Sequence, residues 1–260
     1  MLIDEIFDIP DTALFNQYIP KNLIFEQANL KKVDKDLFTK YIKRITFLYQ
    51  LNGDSLRLKP YLGDDRKYYE IGFINLSLKE ENFKKLDDGG FKEDNKLNRI
   101  ADIIFRSIPE PLVLSFEAEN KINIFVSHIK DSLSDSEKIT LDDVITTNWI
   151  DFSSLDEIDK ILFDDLKLDN LNFNNVYSFY DDIISAILKY NGSKEVGMEV
   201  NAKSDEILEI MVQIEKIEKE IGKLKKKIKK ECNFSEKLNI NSQINGLNDE
   251  KSKLQEKLAN

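Results

Sequence analysis

The chain has 260 residues, 41% hydrophobic, 10% aromatic and 33% charged, which supports a sizeable core and excludes a wholly disordered or collagen-like chain. Its net charge of −10 argues against a general, strongly basic nucleic-acid binder. With one Cys (Cys232) and one His (His128), a disulfide framework and a Cys/His zinc site are excluded, and any Ser-His-Asp mechanism must run through His128.

No apolar run approaches the roughly 20 residues that span a bilayer, and Met1 to Glu5 lacks the basic and apolar regions of a signal peptide, so a cytoplasmic protein without membrane contact is expected. Pro10 and Pro20 punctuate an apolar start (Ile6, Phe7, Ile9, Leu14, Phe15, Tyr18, Ile19), which reads as a short helix and irregular chain wrapped onto the core. Asp34 is placed as the N-cap of a helix through Lys43, with Leu37, Phe38, Tyr41 and Ile42 on one stripe. Ile45 to Leu51 reads as a buried strand ending at the Asn52-Gly53 turn. From Tyr68 to Leu78 a second strand is expected, with Ile74, Leu76 and Leu78 inward and Asn75, Ser77 and Lys79 on a wet face.

Asp87-Asp88-Gly89-Gly90 breaks the chain before a helix over about Glu93 to Ser107, which Pro109 and Pro111 stop. Leu112 to Ala118 and Ile122 to Val126 alternate around Glu119-Asn120 as a hairpin, and a further strand is expected over Val144 to Ile150. An acidic link then leads to a helix from Asn175 to Tyr190, ended by Asn191-Gly192.

After that, Ile207, Ile210, Ile214, Ile217, Ile221, Leu224 and Ile228 recur at alternating spacings of three and four, a heptad seam flanked by Glu and Lys. The register breaks around Asn233-Phe234-Ser235, and Leu238, Ile244, Leu247, Leu254 and Leu258 mark a second helix, which suggests an antiparallel hairpin. A continuous intermolecular coil competes, against Gly246 and the break; paired hairpins would make a four-helix bundle. The reading is therefore an α+β domain over 1–192, a mainly antiparallel sheet with helices on one face, then a linker over 193–202 and a coiled-coil helical hairpin over 203–260. The heptad seam is the expected oligomer or partner surface.

Charge is distributed unevenly along the chain. Lys21 to Arg44 holds seven basic residues (Lys21, Lys31, Lys32, Lys35, Lys40, Lys43 and Arg44) against three acidic ones, whereas Asp131 to Asp182 holds fourteen acids and three lysines. The first stretch suits a polyanion or acidic partner, with Lys21, Lys31, Lys32, Lys40, Lys43 and Arg44 as candidate contacts; both stretches are also what solvated helix faces look like. Six lysines lie between Lys223 and Lys230 on the outside of the seam.

Chemistry is sparse. None of the nine glycines forms a phosphate loop or dinucleotide spacing, and no cofactor or metal is expected. His128 reads as a strand-end histidine satisfied by backbone, and Cys232 as a loop thiol beside Lys229 and Lys230. An enzyme reading needs clustered carboxylates and a lysine, for which Asp64, Asp65, Glu70, Lys67, Glu117 and Glu119 are candidates, none in the acid-x-Lys arrangement.

Several stretches carry a resemblance: Ile6-Phe7-Asp8-Ile9-Pro10 with Leu14-Phe15-Asn16 and Ile19-Pro20-Lys21, Ile42 to Leu51, Ser107-Ile108-Pro109-Glu110-Pro111-Leu112, Asn148-Trp149, and the tail from Lys225 through Phe234 to Leu258. Together they resemble a domain-of-unknown-function family of bacterial and mobile-element proteins. The resemblance implies genes beside helicases, methyltransferases or restriction-type enzymes of anti-phage systems, and it brings no catalytic residues. The expected role is an accessory, non-catalytic subunit of such a defence complex, binding a helicase or nuclease partner, with DNA as a further ligand and self-association through the coil. The alternatives are a metal-dependent nuclease activated within the complex and a phage-encoded inhibitor of a host enzyme, whose acidic stretch would imitate DNA.

Overall fold

The computed structural model describes residues 1–79, 81–82, 95–131 and 139–259, so the expected break at Asp87 to Gly90 and the helix start at Glu93 lie outside the described residues. The chain divides into two compact units, Met1–Ile187 and Leu188–Asn260.

The first unit opens with α1 (Leu2–Phe7), the edge strand β1 (Leu14–Tyr18), α2 (Lys21–Gln27), α3 (Lys32–Tyr41) and the long strand β2 (Ile42–Leu51). A single helical turn, α4 (Gly53–Leu56), is capped by the Asn52 side chain, which accepts from the Asp54 and Ser55 N–H groups. The small ribbon β3 (Tyr61–Leu62) and β4 (Lys67–Tyr68) precedes β5 (Ile71–Leu78), α5 (Asn95–Ser107) and β6 (Leu112–Ala118). Then follow β7 (Lys121–Val126), the ribbon β8 (Ile129–Asp131) and β9 (Ile139–Leu141), the fragments β10 (Ile145–Thr146) and β11 (Ile150–Asp151), and α6 (Glu157–Asp165).

The main sheet runs β1-β2-β5-β6-β7-β10, with β11 also on β7; every pairing is antiparallel except β5 with β6, which are parallel and joined through α5. This is the expected α+β class. Glu119 turns the β6–β7 hairpin in the left-handed region at φ 52°. The strand expected over Val144 to Ile150 is broken, because Asn148 is left-handed at φ 58° and the Thr147 Oγ1, 3.0 Å away, replaces backbone as acceptor for the Ile124 N–H.

Alternation sorts the sheet into two faces. Ile45, Ile74, Leu76, Leu114, Phe116 and Phe125 pack with Ile24 of α2, Phe38 and Tyr41 of α3, and Leu97, Ile100 and Ile104 of α5. Phe73, Asn75, Val113, Ser115, Ile122 and Ile124 face the other way and are buried as well. α1 covers part of this face: its buried Phe7 meets Phe73 edge-on at 5.0 Å and its Ile3 N–H donates to Glu117 Oε1 at 3.2 Å. The single wet face expected for β5 is therefore corrected: helices cover both faces. Asn75 is buried without penalty because its amide donates to Ser115 Oγ at 3.1 Å and its carbonyl accepts from Ser77 Oγ at 3.2 Å.

Three helix boundaries also differ from expectation. α3 starts at Lys32 with Lys31 as N-cap, and Asp34 sits inside its first turn. The acidic link contains α6, opened by a reciprocal cap in which Asp156 accepts from the Asp159 N–H and Asp159 from the Asp156 N–H, both at 2.9 Å. α7 (Val176–Val196) does not stop at Asn191-Gly192. Its stop is Gly197, left-handed at φ 76°, whose N–H donates to the Ser193 carbonyl at 2.8 Å. Gly192 serves close packing instead, since a Cβ there would meet Ile207 Cγ2 at 3.2 Å.

The division between the units falls inside α7, and the second unit adds α8 (Ser204–Lys230) and α9 (Phe234–Ala259). These helices are antiparallel, as the pairs Lys227–Glu236 (3.6 Å) and Lys251–Glu218 (2.7 Å) require. Among the described residues no helix is long and apolar enough to cross a membrane.

Candidate functional site

Most of the basic candidates lie on α3 and the strand it leads into. Lys31, Lys32, Lys40, Lys43 and Arg44 are exposed. Lys40 Nζ lies 5.1 Å from the centroid of the Tyr41 ring, which Lys96 of α5 also approaches at 5.5 Å. The Arg44 guanidinium sits 5.4 Å over Tyr18 and donates from Nε to Thr46 Oγ1 at 3.2 Å. Lys21 is different: it is half-buried, its ammonium donates to the Ile42 carbonyl, and burial together with Lys79 lowers its pKa. It is a structural contact.

One of the acids interleaved with these lysines, Asp34, is paired by α5. Arg99 holds Asp34 through Nε (3.0 Å) and Nη2 (2.9 Å), which keeps that carboxyl below the usual aspartate range, and Asp102 is paired to both Arg99 and Arg106.

The carboxylates considered for metal chemistry do not converge. Asp64, Asp65 and Lys67 belong to the β3–β4 ribbon, where Asp65 is held by Arg66 at 3.2 Å. Glu117 lies under α1 with its carboxyl pushed up by burial, and Glu119 forms the β6–β7 turn. Among the described residues no group of three His, Cys, Asp or Glu side chains is arranged to hold a metal ion.

Glu70 instead meets Glu110, a residue the sequence reading passed over. Each stands just before one of the parallel neighbours β5 and β6, so the two carboxyls share one end of the sheet. Glu70 accepts from Gln50 Nε2 at 2.5 Å and from Asn52 Nδ2 at 3.5 Å. Among the described residues Glu110 Oε2 is buried without a hydrogen-bond partner, and burial, reinforced by the charge of Glu70, raises the Glu110 carboxyl to about 7. The only sequence signal was an acid clamped between two prolines, Pro109 and Pro111.

His128 is held by side chains, which corrects the backbone reading. Its Nδ1 lies 3.0 Å from the Tyr68 hydroxyl and its Nε2 3.1 Å from Asp181 Oδ1, while its ring stacks on Tyr177 at 5.1 Å. The Tyr68 hydroxyl is also within donating distance of the Ile129 carbonyl at 3.0 Å. The Tyr68 oxygen also accepts from the Ile129 N–H at 3.0 Å, and Tyr180 ties Leu112 and Ser127 together beside it. Both imidazole nitrogens are engaged and Tyr68 is fully buried, so this network braces β4, β8 and α7 and presents no free base.

The heptad seam is turned inward. Ile207, Ile210, Ile214, Ile217, Ile221 and Leu224 are buried and Ile228 is half-buried, so most of their apolar surface is already covered within the chain. On α9 the partner row is Ile240, Ile244, Leu247, Lys251, Leu254 and Leu258, again at heptad spacing; of the expected residues only Leu238, 56% exposed, is off it. Lys251 occupies a seam position because Glu195 (2.9 Å) and Glu218 (2.7 Å) compensate its charge. Cys232 is exposed at the turn.

No curated protein and no solved structure matches the chain. One family model does, over residues 7–250, which includes nearly all of both units; the chain therefore belongs to the family described as "Domain of unknown function (DUF4391)".

Proposed function

We propose that this chain is a non-catalytic accessory subunit that binds a polyanion through the corner formed by α3 and the start of β2. The observation that carries the reading is the exposed set Lys31, Lys32, Lys40, Lys43 and Arg44, whose acidic neighbour Asp34 is already paired with Arg99. Such a face steers DNA or an acidic partner despite the chain's overall negative charge. The resemblance of the sequence to proteins encoded beside helicases and restriction-type enzymes supports a cytoplasmic anti-phage complex as the setting, with the helicase or nuclease as partner. Because the seam is mostly covered, the hairpin offers a partner its charged outer faces and not its isoleucines.

The test replaces Lys40, Lys43 and Arg44 together by Glu and measures fluorescence anisotropy with labelled DNA, alongside co-purification of the neighbouring gene products. Loss of either interaction, steepest at low salt, is expected. Unchanged binding of both overturns the assignment.

One observation favours a second reading, a metal-dependent nuclease activated in the complex: Glu70 and Glu110 share a sheet end, with the amides of Gln50 and Asn52 beside Glu70. Plasmid cleavage with Mg²⁺ or Mn²⁺ that disappears in Glu110→Gln would establish it.

A further inference from the structure

We propose that two copies of this chain pair through the outer side of α8, antiparallel and about a two-fold axis level with Ile217. The inference concerns the second unit alone and is independent of the polyanion reading. About half a turn round α8 from its buried isoleucine row runs a second row at alternating spacings of three and four: Asp205, Leu208, Val212, Glu215, Lys219, Gly222, Lys226 and Lys229. Leu208, Val212 and Gly222 are half-buried and the other five are exposed. Set against its own reverse, this row is complementary at every step: Asp205 meets Lys229 of the other copy, Leu208 meets Lys226, Val212 meets Gly222, and Glu215 meets Lys219.

The order of the charges selects this occupant. A polyanion along α8 would be repelled by Asp205, Glu206, Glu209 and Glu215, and a parallel copy would set like charge against like. A reversed copy offers both signs in the required order, which is the self-complementary contact of a two-fold dimer. The helix macrodipole favours Asp205 and Lys229 where they stand, but it reaches only the first and last turns and leaves Glu215 and Lys219 without that reason. Those two pair within the helix at 2.5 Å, and across the axis the pair meets its copy head to tail, four charges of alternating sign. Gly222 lies inside the helix, where alanine would be more favourable. A Cβ there would meet nothing within 4 Å among the described residues, so packing within the chain does not require the glycine. Against the other copy it leaves room for Val212, while the Lys226 stem covers Leu208 and keeps its ammonium in water.

The experiment is sedimentation velocity of the full chain over a range of protein and salt concentrations. The wild-type chain is expected to form a dimer that dissociates as salt rises. Glu215→Lys and Lys219→Glu each bring like charges together at both symmetric positions and are expected to weaken the dimer at least about tenfold. An equimolar mixture of these two variants recovers the dimer, because every facing pair is then opposite in sign, and so does the double variant Glu215→Lys, Lys219→Glu. Gly222→Leu occupies the space of Val212 and is expected to leave a monomer with the helix content of the wild type by circular dichroism. The mixture decides the matter if a single change loosens the helix, since lost folding would not return on mixing. A chain that stays monomeric at every concentration, a dimer indifferent to the single charge reversals, or a mixture no more associated than its components overturns the proposal.

Discussion

Glu110→Gln is expected to stabilise the protein above neutral pH and to do nothing below about pH 4.5. In the folded chain burial, with Glu70 adding repulsion, moves this carboxyl from the ordinary 4.5 up to about 7. An unfolded chain releases the same proton near 4.5, so between these values the folded state binds more protons and stability falls as pH rises. The penalty is absent below the unfolded pKa, grows through the interval and is complete above the folded one. At about 1.4 kcal/mol per pKa unit the full shift corresponds to roughly 3 kcal/mol, which solvent screening of a half-buried side chain reduces to about 1–2 kcal/mol. Glutamine keeps the shape and an acceptor for the Tyr69 backbone, removes the ionisation, and brings a donor beside Glu70. Urea unfolding followed by Trp149, the single tryptophan, reads the first unit directly. Equal midpoints at pH 4.5 and a variant more stable by about 1–2 kcal/mol at pH 8 are expected. In a Glu70→Gln background the gain shrinks, because the two carboxyls couple. A variant destabilised equally at both pH values would refute the reasoning.

Lys251→Ala leaves Glu195 and Glu218 without their shared cation in the seam and is expected to cost about 2 kcal/mol of hairpin stability by thermal unfolding, whereas Lys251→Leu together with Glu195→Gln is neutral or stabilising. Tyr68→Phe removes the acceptor of the Ile129 N–H and the partner of His128 Nδ1 inside the core, a loss of about 1–3 kcal/mol by chemical denaturation. Asp156→Ala removes half of the reciprocal cap of α6 and should cost about 1 kcal/mol, with α6 amides exchanging faster with deuterium.

What local chemistry decides was legible in the sequence. The strands β2, β5, β6 and β7 follow from alternation and turn residues, and α8 follows from an unbroken heptad. Burial on both faces of β5 was not legible, because Asn75, Ser77 and Ser115 satisfy one another under a helix that comes from the first residues of the chain. The end of α7 was misplaced for a similar reason: Gly192 and Gly197 look alike in sequence, and only the approach of Ile207 makes the first a packing glycine. On α9 most of the seam was legible, but its Lys251 position was not, because the charge there makes sense only once Glu195 and Glu218 are known to face it.

The candidate site divides along the same line. Its basic residues are neighbours in sequence on one helix and the strand it leads into, so their clustering needed no tertiary knowledge. Their effective charge did need it, since Asp34 looks like a counterion to the lysines until Arg99, sixty-five residues away, takes it. Glu70 and Glu110 are likewise separated by the whole of α5 and meet only because β5 and β6 are parallel. A negatively charged chain can therefore carry a corner in which exposed cations outnumber exposed acids: Asp34 is paired with Arg99, and Asp36 stays exposed among the lysines. Ionic strength provides the check on that argument. If the corner acts through its own unpaired cations, binding weakens steeply with added salt while the chain's net charge stays the same.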